Sequence, residues 1–224
     1  MIASFTIEDN TLIRYQGQEK RVIVPDGVRV IGENAFYGCD SLMELMLPES
    51  VRKIEDDAFW ECDLQSVQGA EHLQIIESGA FKGCLFEEFL FGPNLSFLGD
   101  SAFAECIFLK QVEISAKAQP LEMGSTVFAD CRSLVCAELS GQILGDTDEW
   151  FDGCVNLQQV KLPSNIRRIG QWMFSGCNSL KALRIPESVE EIVENAFDFC
   201  PNLTIYAPSG SEAEAFAKRR GIPF

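Results

Sequence analysis

The sequence predicts a solenoid of eight coils, each 22–25 residues long, α/β or β-rich and curved, with a parallel concave sheet. Three observations predict it. Phe-x-x-Cys recurs at Phe36/Cys39, Phe59/Cys62, Phe81/Cys84, Phe103/Cys106, Phe128/Cys131, Phe151/Cys154, Phe174/Cys177 and Phe197/Cys200, at intervals of 23, 22, 22, 25, 23, 23 and 23 residues. Behind the Cys comes a second pattern, Leu42-x-x-Leu45-x-Leu47, repeated as Leu109/Val112/Ile114, Leu157/Val160/Leu162 and Leu180/Leu183/Ile185. Ahead of the Phe, eight and five residues upstream, stand the pairs Val28/Ile31, Val51/Ile54, Leu73/Ile76, Leu95/Leu98, Ile166/Ile169 and Val189/Ile192. No single coil can bury its own apolar edge, whereas stacked coils bury a continuous one.

In chain order, the first 24 residues read as a hairpin that covers the open edge of coil one: Phe5-Thr6-Ile7, Leu12 to Tyr15 and Val22 to Val24, separated by polar turns. Residues 25–207 carry the repeats. In each coil, the last two apolar positions of the triplet are two apart, which is strand spacing. Pro48, Pro93, Pro163 and Pro186 end the run, because proline has no ladder donor. A short extended piece follows, then a tight turn, then an expected helical turn bearing Ala-Phe-x-x-Cys. Coils two and three lose one residue and read Leu64/Val67 and Phe86/Phe89/Phe91. Residues 208–224 read as a carboxyl-terminal cap whose helix, Ser209 to Arg220, has Glu212 and Glu214 early and Lys218 to Arg220 late, as the helix dipole favours. Gly221 stops it.

The motif Pro-x-Ser/Gly-Val-x-x-Ile-Gly/Glu-x-x-Ala-Phe-x-x-Cys-x-x-Leu resembles the repeat of BspA-like leucine-rich-repeat proteins. Residues 25–42 and 48–62 match it best, and Tyr206 to Ser211 with Gly221 to Phe224 resembles that family's closing cap. The resemblance spans nearly the whole chain. It implies a right-handed solenoid arc and a binding role, often adhesion at a bacterial surface, and it supplies no catalytic residues.

Composition agrees with a binding role. The net charge of −16 repels phosphate backbones and anionic membranes, so neither nucleic acid nor a membrane surface is an expected partner. No run of about 18 apolar residues spans a bilayer. The segment Met1 to Asp9 lacks a basic region followed by an apolar one, so a cytoplasmic location with reduced thiols is expected. Ladder cysteines at least 22 residues apart do not match zinc spacing, and stacking with parallel Cβ vectors disfavours disulfides. Cys136, the ninth thiol, falls off the ladder and is expected to point outward. His72 is the only histidine, which removes most triad and general-base schemes. No enzyme, cofactor or metal is expected.

The expected function is a scaffold that holds a protein partner on the concave sheet. Self-association is open, and a bacterial surface module for a carbohydrate or host ligand is the alternative. The outward positions read Met43, Glu44 and Met46 in coil one, then Glu87, Glu88 and Leu90 in coil three. Coil four gives Lys110, Gln111 and Glu113, and the late coils Gln158, Gln159 and Lys161, then Lys181, Ala182 and Arg184. The face thus passes from acidic with apolar anchors to basic. A carbohydrate module needs exposed Trp or Tyr, and none falls in the strands of coils one to seven. Coils five and six break the pattern. The Phe103–Phe128 interval gains Ser115 to Gln119, Pro120 takes a Val/Leu position, Asp146 an Ile position and Trp150 an Ala position. A carboxylate cannot replace a buried Ile without a partner. Residues 145–149 are therefore expected to bulge outward as an acidic loop that serves binding, with Asp146, Asp148 and Trp150 as candidate partner contacts and Trp150 either swung toward solvent or filling the space opened.

Overall fold

The computed structural model describes residues 5–224. Met1 to Ser4, which the reading of the amino terminus includes, lie outside the described residues. Each coil contributes rungs to two parallel ladders. One is the strand face, built from the Leu-x-Leu segments: Arg21–Ile23, Glu44–Met46 and Ser66–Gln68 pair in register, as do Ala182–Arg184 with Thr204–Tyr206. The other consists of two-residue rungs, Val30–Ile31, Lys53–Ile54, Ile75–Ile76 and Phe97–Leu98, and later Arg168–Ile169 with Glu191–Ile192. Between the ladders lies one core in which Leu42, Leu45, Ile31, Ile54 and their counterparts are buried.

The hairpin cap is more than a lid. Phe5–Glu8 and Thr11–Tyr15 pair antiparallel. Thr11–Tyr15 then forms the first parallel rung beside Val30–Ile31, and Arg21–Ile23 is the first rung of the strand face. Tyr15 stacks on Phe36 with ring centroids 5.0 Å apart. The aromatic ladder therefore opens with Tyr15, runs through the eight repeat phenylalanines at spacings of 4.8–5.9 Å, and closes on Phe216 of the terminal helix. That helix is Glu212–Arg220, with Ser211 accepting from the Glu214 N–H at its start and Gly221 in the left-handed region at its end.

The expected helical turn does not form. Ala-Phe-x-x-Cys is a chain of tight turns: Ala35, Tyr37 and Cys39 donate their N–H to Gly32, Asn34 and Phe36, each three residues back. The alternate N–H groups leave the coil. Asn34, Phe36 and Gly38 donate to Asp56, Ala58 and Trp60 of the next coil. The reason is spacing. Packed helices need about 8–10 Å between axes, whereas strand rungs advance about 4.8 Å. Turns linked like strands match the rungs, and the sharp reversals place Asn34 and Gly38, and their counterparts in coils two to seven, at positive φ.

The cysteines complete this side. Cys62, Cys84, Cys106, Cys131, Cys154, Cys177 and Cys200 donate Sγ–H to the Phe carbonyl of the preceding coil, at 2.8–3.4 Å. Each such carbonyl also accepts an N–H from its own coil, so both lone pairs are used. The thiols are free, and burial pushes Cys84, Cys106, Cys131, Cys154 and Cys177 well above their ordinary range. Cys39 and Cys200, at the ends of the ladder, are only half-buried.

Candidate functional site

On the strand face the register places outward side chains in columns that run along the solenoid. One column reads Ile23, Met46 and Gln68 over the first rungs, Glu113, Glu138 and Lys161 over the middle ones, and Arg184 and Tyr206 over the last. Beside it run Arg21, Glu44 and Ser66, then Gln111, Cys136 and Gln159, then Ala182 and Thr204. Backbone pairing joins these neighbours within three blocks, and among the described residues none links Gln68 to Glu113 or Lys161 to Arg184. Ion pairs cross between coils at Arg21–Glu44 (3.6 Å), Lys110–Glu87 (2.6 Å) and Lys161–Glu138 (3.7 Å). All are exposed and contribute little to stability. Among the described residues, Lys181 and Arg184 face no carboxylate within ion-pair distance.

Coil three departs from the expected strand. Its segment 86–91 forms no rung. The coil is one residue short, and three Phe replace aliphatic side chains. Phe86, Phe89 and Phe91 fold into a cluster around Phe103, with ring centroids 6.3, 4.7 and 5.1 Å from it. Gly92 passes so close to the Glu71 carbonyl that a Cβ there would sit 1.9 Å from it. Glu87, Glu88 and Leu90 thus project from an irregular segment, and Leu90 is 64% exposed.

Over the last four coils the face sinks into a hollow of about 1110 Å³. Ala182 and the half-buried Cys136 line it, with Gln159, Lys161 and Arg184 along the columns and Glu138 and Glu187 beside them. Tyr206 and Phe224, both about half exposed, bound its far end. The Arg184 guanidinium lies over the Tyr206 ring, 5.8 Å from its centroid. The Pro223 carbonyl accepts from Ile205 N–H, which holds the carboxyl-terminal tail against the last strand and sets Phe224 at the rim. Sequence reasoning missed this hollow. The strands of coils one to seven carry no exposed Trp or Tyr in their pattern, and Tyr206 is in coil eight, paired with Arg184 at the outward position of the Leu-x-Leu pattern. Burial and the charges of Glu138 and Glu113 raise the Cys136 thiol above its usual value.

Asp146, Asp148 and Trp150 belong to the other ladder and are not brought to this face. The expected outward loop is not what forms. The chain crosses from the strand face of coils four and five to the second ladder of coils five and six as unbroken strands, Gln111–Met123 and Cys136–Gly145, whereas it turns at Pro48, Pro93, Pro163 and Pro186, and at Gly69 after coil two. A bulge between Ala116 and Leu121 absorbs the extra residues, so Leu121, not Pro120, enters the core. One step on, Met123 pairs with Gly145. The Ile position is therefore held by Gly145 and not by Asp146. Gly145 has φ 102° and a Cβ there would meet the Met123 carbonyl at 2.2 Å, so glycine alone fits. Trp150 packs into the core. It is 1% exposed and its indole N–H donates to the Gly124 carbonyl at 2.9 Å. Asp146 faces solvent. Asp148 ties coil six to coil seven through Arg168 (2.6 Å) and the Gln171 N–H (2.8 Å). Asp56 and Asp100 make the same backbone contact, to Ser78 and Ser125.

His72 lies at the surface, 3.8 Å from Glu71. Among the described residues no group of three His, Cys, Asp or Glu side chains is placed to hold a metal ion, and no helix is long and apolar enough to cross a membrane.

A family model described as BspA type leucine rich repeat region matches residues 6–135 and 74–204, in six copies. A leucine rich repeat protein from T. pallidum superimposes with a TM-score of 0.68 at 29% identity, covering 80% of this chain and 87% of that one. A leucine rich cell surface protein from Faecalibacterium prausnitzii A2-165 covers 90% of this chain and 86% of its own, at 19% identity and TM-score 0.41. The pneumococcal vaccine antigen PcpA covers 89% and 78%, at 18% identity and TM-score 0.40. No curated protein matches.

Proposed function

The chain belongs to the BspA-type leucine-rich-repeat family, and we propose that it is a non-enzymatic module that holds a protein partner on its strand face. One observation carries this reading. The outward columns of the strand face are graded along the solenoid while the core columns beneath them are uniform. Ile23, Met43, Met46 and Leu90 offer apolar anchors among Glu44, Glu87 and Glu88, and Lys161, Lys181 and Arg184 offer cations at the other end. Complementary charge at both ends orients a partner and speeds its encounter. The buried Trp150 and the coil-linking Asp148 leave Asp146 as the single solvent-facing member of that trio.

A second reading, a surface module for a carbohydrate or host ligand, gains support from Tyr206 and the hollow beside it. The cytoplasmic location expected from the amino terminus gains no support from the relatives, one of which is described as a cell surface protein.

The test is kinetic. A partner captured from the native host is measured against two double variants, Glu87→Lys with Glu88→Lys, and Lys181→Glu with Arg184→Glu. Both are expected to slow association more than they speed dissociation, with a weaker salt dependence. An association rate unchanged in both variants rejects the strand face as the binding surface.

A further inference from the structure

We propose that the hollow over coils five to eight is the docking point for an acidic helical segment of the partner, whose carboxylates meet Lys161 and Arg184 and whose aromatic side chain enters the gap between Tyr206 and Phe224. This deepens the interaction-module reading and rests on it.

Charge selects the ligand. The chain carries −16 overall, so an acidic segment is repelled by most of its surface. Lys161 and Arg184 line the hollow and Lys181 immediately precedes the lining Ala182; Lys181 and Arg184 have no carboxylate partner among the described residues. Glu138 is already engaged with Lys161 at 3.7 Å, leaving Glu187 as the rim's remaining lining carboxylate. Arg184 is preoriented as well. Its guanidinium lies over the Tyr206 ring, 5.8 Å from the centroid, and a cation held over a ring face keeps N–H groups free to grip a carboxylate.

Shape selects the aromatic. Tyr206 and Phe224 are each about half exposed, and both line the hollow. Ala182 between the flanking strands is too small to fill the space. A flat side chain seated there covers two rings at once, and such contacts supply hot spots.

Spacing selects the helix. Lys161, Arg184 and Tyr206 stand on three successive coils; Arg184 and Tyr206 are paired rungs, and backbone hydrogen bonds on the turn side join coils six and seven, so at about 4.8 Å per coil the first and third are about 9.6 Å apart. Helical residues i, i+3 and i+7 share a face and advance about 4.5 and then 6 Å, a total of about 10.5 Å. An extended segment repeats one side about every 6.8 Å and drifts out of register by the third contact. The expected motif is Glu at i, Glu at i+3 and Phe or Trp at i+7.

The experiment uses the full chain and fluorescein-labelled helical peptides of equal length. One carries Glu, Glu, Phe at i, i+3 and i+7. A second has Lys for both Glu, and a third has Phe at i+3 and Glu at i+7. The first should bind best, weaken at least tenfold with Arg184→Glu and with Tyr206→Ala, and slow alkylation of Cys136, read by mass spectrometry. Thermal melting of both variants should match the parent, since both residues are exposed. No binding of the first peptide, equal binding of either control, or a change below twofold in both variants overturns the proposal. So does binding of acidic oligosaccharides on a glycan array without peptide binding. If a native partner is lost on reversing Glu87 and Glu88 yet kept by Arg184→Glu and Tyr206→Ala, the strand face stands and the hollow falls.

Discussion

The two long sides of this solenoid obey different constraints. On the turn side, a coil can be laid on its neighbour residue for residue: Phe on Phe, thiol on Phe carbonyl, and N–H on the carbonyl one coil away. On the strand face, the backbone ladder repeats but the outward residue changes at nearly every rung, from Met46 to Gln68 and from Lys161 to Glu138. The turn side has no freedom because each Phe carbonyl serves two donors and each ring fills space bounded by two others. The strand face is free because its outward side chains are exposed and their pairings weak. Stability resides on one side and recognition on the other, so substitutions on the two sides should affect different measurements.

Phe103→Ala should have the largest effect. Its ring contacts Phe81, Phe86, Phe89, Phe91 and Phe128, and truncating a buried Phe costs about 3–5 kcal/mol. Urea unfolding should show the midpoint fall steeply, and an unchanged midpoint would mean that the ladder does not carry the fold. Trp150→Ala should fall close behind. It empties a buried site and leaves the Gly124 carbonyl without its indole donor. A mild effect would restore the idea of a loosely attached loop at coil six.

Cys131→Ala should cost about 1 kcal/mol, since Phe103 loses one donor and keeps the Cys106 N–H. The thiols also link stability to pH. Burial raises the pKa values of Cys84, Cys106, Cys131, Cys154, Cys177 and Cys200 above the unfolded value, so their neutral form is favoured in the native state. That contribution is complete below about pH 8.5, the unfolded value, and is lost as pH rises through the folded one, which for Cys200 is pushed up to about 11 by burial. Melting temperature should therefore drop in alkaline buffer, and less so in a Cys200→Val variant. In neutral native buffer, labelling should reach Cys136 and the half-buried end thiols Cys39 and Cys200, and spare the six buried between them. Fast labelling of Cys106 or Cys154 would contradict the ladder.

Glu105→Gly should stabilise by about 1 kcal/mol. Glu105 sits at φ 60°, where coils one, three, six and seven have Gly38, Gly83, Gly153 and Gly176. The exposed pair with Lys82 offsets little of this. The smallest effect belongs to the strand face. Lys181→Glu with Arg184→Glu should move the unfolding midpoint by less than about 0.5 kcal/mol while changing partner binding. A large loss of stability there would erase the distinction between the two sides.

The sequence by itself determined the period, the number of coils, the buried identity of the Phe and Cys columns, and the order of charges along the strand face. These follow from composition at fixed spacing, because a stacked repeat must bury the same positions in every coil. Whether the Ala-Phe-x-x-Cys segment curls into a helix was a tertiary matter. Local propensity allows it, but a rung spacing of about 4.8 Å leaves no room for helices side by side. The register at coil six was decided the same way. Counting back from Phe151 puts Asp146 in the core, yet the strand arriving from Cys136 sets Gly145 at that register position, at the surface, and Trp150 is buried five residues on. The ends also depended on the fold. Tyr15 and Phe216 belong to no repeat in the sequence, and only stacking shows them to be the first and last rings of the ladder. The hollow beside Tyr206 exists because the carboxyl-terminal tail returns to pair with Ile205, a contact between residues 18 apart that no periodicity encodes.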